Sequence, residues 1–102
     1  MIELVLQLED NLRLIQPSIT IQYHPHTFVG DIIISTHNDQ ILDDKILAIF
    51  KLSYPGWCPA KEQKKLHLPE REVPSILANS LMRKEMYHFK LGIMEKKLGR
   101  IL

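Results

Sequence analysis

The chain has 102 residues, 45% hydrophobic and 25% charged, with one cysteine and a formal net charge of +1. That is ordinary globular composition with room for one core. It excludes a disordered or fibrous chain, a bulk polycation or polyanion, and any internal disulfide.

Residues 2–8 place Ile2, Leu4, Leu6 and Leu8 at period two against Glu3 and Gln7, the pattern of a half-buried strand. Glu9-Asp10-Asn11 reads as a turn, and Leu12 to Ile15 as a short hairpin partner. After Pro17-Ser18, Ile19, Ile21 and Tyr23 alternate with Thr20, Gln22 and His24, which predicts a third strand rich in β-branched residues. His24-Pro25-His26-Thr27 breaks the ladder, because proline lacks the donor. Phe28-Val29 and Ile32-Ile33-Ile34 then predict a fourth strand, bulged at Gly30.

Over 39–53 a helix capped by Asp39 is favoured, with Leu42, Ile46, Ile49 and Phe50 as its stripe and Tyr54-Pro55-Gly56 as its stop. A buried strand over Ile46 to Leu52 competes with it. Residues 55–74 hold four of the six prolines, a segment of the kind that is functional or mobile, with Leu66-His67-Leu68 as an edge strand inside it. Pro74 suits the first turn of a helix running to about Glu85. Beyond it Tyr87, Phe89, Leu91 and Ile93 alternate like a strand, and a continuous helix to Leu98 is the competing reading. The expectation is a single α+β domain over 1–102, an antiparallel β-sheet of four to six strands with one or two helices packed on one face.

The near-neutral total is a cancellation. Residues 1–60 hold three bases and seven acids, a balance of −4; residues 61–102 hold ten bases and five acids, a balance of +5. Such a chain can pair its halves internally, join head to tail with its own copies, or offer its basic half to an anion.

Three constellations are candidates for chemistry. His24 and His26 project to one side of an extended chain, and His37 could approach them across a hairpin, giving three ligands of a kind zinc or iron accepts. The ordinary alternative is a set of surface histidines on turns. Cys58, followed by Pro59 and without a second cysteine, reads as a small buried thiol. Tyr54 and Trp57 on the proline-flanked loop, beside Lys61, Lys64 and Lys65, form a candidate partner-binding anchor, against the reading in which Trp57 folds back on the core. Arg83, Lys84, Lys90, Lys96, Lys97 and Arg100, with Tyr87, His88 and Phe89 among them, are candidate phosphate contacts for nucleic acid or an anionic surface.

No glycine-rich phosphate loop, nucleophile elbow or paired metal-histidine motif occurs, and nothing calls for a cofactor. The reading that follows is a non-enzymatic protein-interaction or assembly protein, self-associating through a sheet edge or charge-polarised surfaces. Nucleic-acid or anionic-surface binding is the first alternative, and a small histidine-dependent metalloenzyme the second. No run reaches the roughly 18–20 apolar residues of a membrane span. With an acidic N-terminal stretch and a lone thiol, the expected location is cytoplasmic or otherwise intracellular.

Overall fold

The computed structural model describes residues 2–25, 30–54 and 64–101, the last five of these as backbone alone. Its first element corrects the sequence expectation. Residues Ile2–Ile15 form helix α1, not two strands. Val5, Leu8 and Leu12 are its buried residues, spaced three and four apart as a helix requires, and Ile15 continues their line against the core. The period-two signal came from a second line, Ile2 and Leu6, which lies on the exposed side of the same helix.

Gln16 carries the chain out of α1 and ties it to a later loop. Its side chain donates from Nε2 to the Ile41 carbonyl at 3.0 Å and accepts the Asp43 N–H at Oε1 at 2.8 Å. Strand β1 (Ile19–His24) follows, predicted by its alternation, then β2 (Asp31–Thr36), which holds the expected Ile32-Ile33-Ile34 run but begins after Gly30 and pairs without a bulge. They pair antiparallel with Ile21 opposite Ile34 and Tyr23 opposite Ile32. The expected strand residues Phe28 and Val29 lie outside the described residues.

Thr36 closes the turn after β2. Its buried hydroxyl accepts the Gln40 N–H at 2.6 Å and donates to the Gln40 carbonyl at 3.1 Å. Asp39 takes a left-handed backbone there (φ 56°), so it is not the helix cap. Helix α2 spans Asp44–Ser53 and is capped by Asp43, whose Oδ1 accepts the Lys45 N–H at 2.8 Å. Ile46, Ile49 and Phe50 are its buried residues, which decides the helix–strand alternative at this segment in favour of the helix.

Strand β3 (Leu66–Pro69) pairs antiparallel with β2, placing Leu66 opposite Ile34 and Leu68 opposite Ile32. The order is β1-β2-β3. A 3-10 turn (Glu70–Glu72) leads into the short helix α3 (Val73–Leu77), with Pro74 in its first turn as expected. The chain then turns at Ala78-Asn79. Asn79 Oδ1 accepts the Leu81 N–H at 2.8 Å and opens helix α4 (Ser80–Ile101). The strand expected over 86–93 is therefore helical.

Among the described residues the sheet has three strands, so the expectation of four to six strands with one or two helices is corrected, while the α+β class stands. The physical reason is that both α1 and α4 carry apolar residues on two sides, and two interleaved helical lines imitate β alternation. One sheet face, built from Ile19, Ile21, Tyr23, Ile32, Ile34, Leu66 and Leu68, joins a single core with residues of α1, α2, α3 and the first part of α4. Among the described residues no helix is long and apolar enough to cross a membrane.

At one rim of the sheet Tyr23 Oη donates to Glu70 Oε1 at 2.6 Å, and the Glu70 N–H donates to the Gly30 carbonyl at 2.9 Å. A methyl group on the buried Gly30 would overlap the Glu70 carboxylate and crowd its Cβ at 2.9 Å, so glycine is what lets that side chain lie there. The bond to Glu70 holds the Tyr23 phenol above its usual range, with burial and the carboxylate charge acting in the same direction.

A raised phenol pKa in the folded state gives a stabilising bond that is fully present below about pH 10 and is lost as pH rises through the folded value. In phenolate absorbance titrations, with Tyr23→Phe subtracted, the Tyr23 midpoint is expected above about 10. Glu70→Ala should return it to the ordinary value. Gly30→Ala should do the same while destabilising the fold by roughly 1–3 kcal/mol. An unmoved midpoint in both variants would exclude this arrangement.

Candidate functional site

The candidate residues fall into groups that the fold separates. His24 ends β1 opposite Asp31, whereas His37 follows Thr36, which pairs with Ile19 at the other end of the hairpin. At roughly 3.3 Å per residue the two histidines are about 17 Å or more apart, too far to share a metal ion. His26 lies outside the described residues. Among the described residues no group of three or more His, Cys, Asp or Glu side chains could hold a metal.

The loop candidates are divided as well. Tyr54 ends α2, donating its N–H to the Phe50 carbonyl at 2.9 Å, and packs half-buried against the core. Lys64 pairs with Asp39 at 3.3 Å, and Lys65 is exposed. Trp57 and Lys61 lie outside the described residues, as does Cys58.

The third group is brought together on one element. Arg83, Lys84, Lys90 and Lys96 all project from α4 and are exposed; Lys97 and Arg100 belong to the same helix. Two apolar lines run along α4 at spacings of four and three residues. Met82, Met86 and Phe89 pack into or against the core, and Ile93 continues their line. Tyr87, Leu91 and Met94 form a second line, rotated away from the first, and are 63%, 37% and 59% exposed. Either line alone has the spacing of a coiled-coil seam.

Beyond Lys90 the described side chains of α4, Leu91 and Ile93 to Lys96, are exposed. Ile93 occupies a core-line position yet is 47% exposed. A methyl group added at Gly92 would meet no atom within 4 Å. The 22 residues of α4 span about 33 Å. That exceeds both short dimensions of the molecule, 28 and 24 Å. The radius of gyration is 14.7 Å, against about 13 Å for a compact chain of this length.

Where α4 is still docked, a groove of about 340 Å³ runs between it and α1. Leu77, Met82 and Met86 give it an apolar lining, and Gln7, Asn11, Arg83, Tyr87 and Lys90 complete its walls. The groove thus leads from the core onto the basic, apolar face of the projecting helix.

The charge asymmetry survives folding. Of the ion pairs among the described residues, Lys64–Asp39 alone joins an acid of residues 1–60 to a base of residues 61–102. Arg13–Glu9 and Arg71–Glu72 are local, and Lys45–Glu85 joins a base of the acidic half to an acid of the basic half. Arg83, Lys84, Lys90 and Lys96 make no ion pair among the described residues.

Sequence reasoning found the bases of α4 but missed the second apolar line between them, since it assigned Tyr87 and Leu91 to a strand face. The four-three spacing of Tyr87, Leu91 and Met94 was the signal that marks it. Compared with protein-family models, curated proteins and solved structures, the chain gives no match.

The two lines predict opposite responses to the same truncation. Met86→Ala is expected to lower unfolding stability in urea by about 2–5 kcal/mol. Met94→Ala is expected to stay within about 0.5 kcal/mol of the parent. Comparable losses at both positions would mean that the second line is buried.

Proposed function

We propose that this chain is a protein-interaction and assembly module whose α4 docks on an acidic, apolar partner surface. The observation that carries the reading is the projecting helix with Tyr87, Leu91 and Met94 exposed among unpaired bases. Helices shorter than about 12–15 residues are marginal when they stand alone in water. Residues 91–101 are the second half of α4, contain Gly92 and expose Leu91, Ile93 and Met94, so a partner that covers them adds packing to a half-helix held mainly by its own backbone.

Apolar side chains provide the binding energy in this reading, and the bases provide partner choice and rate of encounter. Tyr87 is a suitable anchor, since an aromatic ring contributes large contact area for few rotatable bonds. An acidic amphipathic helix fits both requirements, laying its own apolar line along that of α4.

The test uses a synthetic acidic amphipathic helix, with leucines at helical spacing flanked by glutamates, titrated into the full chain. Binding in roughly the micromolar range at low salt is expected, weakening as screening increases. The double variant Leu91→Asp/Met94→Asp should not bind. Absence of binding at low salt, or equal binding by that variant, would reject the reading.

Arg83, Lys84, Lys90 and Lys96, without an ion pair among the described residues, also favour a second reading, contact with nucleic acid or an anionic membrane surface. A mobility shift with RNA or DNA, or flotation with phosphatidylserine vesicles, that outcompetes the acidic helix would favour that reading.

A further inference from the structure

We infer that the acidic partner of α4 is the outer face of α1 on a second copy of this chain, so that copies join head to tail. This rests on the reading of α4 as a docking helix and names its occupant. On α1, Ile2 and Leu6 are 59% and 54% exposed and begin a line that continues through Glu9 and Arg13 at spacings of four, three and four. Glu3 and Asp10 flank that line, exposed and without an ion pair among the described residues. Glu9 and Arg13 pair with each other at 3.3 Å, so the face is apolar at Ile2 and Leu6 and takes its negative charge from Glu3 and Asp10, where α4 is apolar and basic.

The two faces do not meet within one copy. Helices α1 and α4 bury their inner lines, Val5-Leu8-Leu12 and Met82-Met86, in one core. Their outer lines are rotated away from those inner lines, so each stays available to another molecule.

Charge distinguishes this occupant from a second α4. The sequence of α4 contains six bases and two acids, a net +4, so two α4 helices side by side repel. The sequence of α1 contains three acids and one base, a net −2. Unless a two-fold axis makes it twice within one dimer, contact between α1 of one copy and α4 of the next is heterologous and leaves an unused α1 face at one end and an unused α4 face at the other. Assembly then continues past the dimer, into a ring or a filament according to the rotation between copies.

The test blocks one face at a time in the full chain and follows mass by sedimentation velocity at low salt. Leu6→Lys removes an apolar contact and places a base on the α1 face. Met94→Glu removes one and places an acid on the α4 face. Wild type is expected to grow beyond a dimer with concentration and to dissociate as salt is raised. Each variant alone should associate at least about tenfold more weakly, while an equal mixture forms a 1:1 dimer, since each retains the face the other lacks.

A second pair, Ile2→Lys and Leu91→Glu, should behave in the same way. Circular dichroism and urea midpoints identify a variant of either pair that is misfolded. Self-association of Leu6→Lys at wild-type strength would overturn the inference in favour of α4–α4 pairing. A strictly monomeric wild type that still binds the acidic helix would overturn it and leave the docking reading intact. If wild type is monomeric and the acidic helix does not bind, both are wrong.

Discussion

Everything in this fold is arranged around the apolar face of β2. The strand is paired on both sides, and its inward Ile32 and Ile34 are fully buried. A three-stranded sheet of short strands cannot bury that face against itself, so helices must cover it. α1, α2, α3 and the start of α4 do so, each contributing one apolar line to the common core. The polar ties then hold these elements in place. Gln16 links the end of α1 to the loop before α2, Thr36 closes the turn after β2, and Glu70 fastens the end of β3 to Tyr23 on β1.

Because one core absorbs one line from each helix, a helix with two apolar lines has a surplus. α1 and α4 are the two such helices, and they keep their surplus on the outside. On α4 the surplus is larger, with Tyr87, Leu91, Ile93 and Met94 all exposed. A scattered exposed leucine needs no explanation in a soluble protein. An aligned set at coiled-coil spacing, framed by bases without partners, is a more specific arrangement.

Charge follows the same division. Folding could have neutralised the acidic first sixty residues against the basic remainder, yet Lys64–Asp39 is the one such pair among the described residues. Apart from Arg13–Glu9 on α1 and Lys45–Glu85 on α4, the charges of the two helices form no ion pair among the described residues. Surface ion pairs add little to stability, so leaving these charges unpaired costs the fold little. In the proposed docking their role is to steer the encounter and to reject like-charged partners.

The sequence by itself determined the local elements wherever a single periodicity applied. The β1 alternation, the Ile32-Ile33-Ile34 run of β2, the Leu66-His67-Leu68 edge strand, the helix ending before Tyr54 and the first-turn role of Pro74 were all legible, because no second apolar line overlaps them. It also determined the −4 and +5 split, which is independent of conformation. Only the tertiary structure decided α1 and the second half of α4, where two apolar lines overlap and produce a false period of two. Tertiary structure alone also separated His24 from His37 at opposite ends of a hairpin. Which apolar line is core and which is surface depends on what lies opposite each, and local sequence does not encode that.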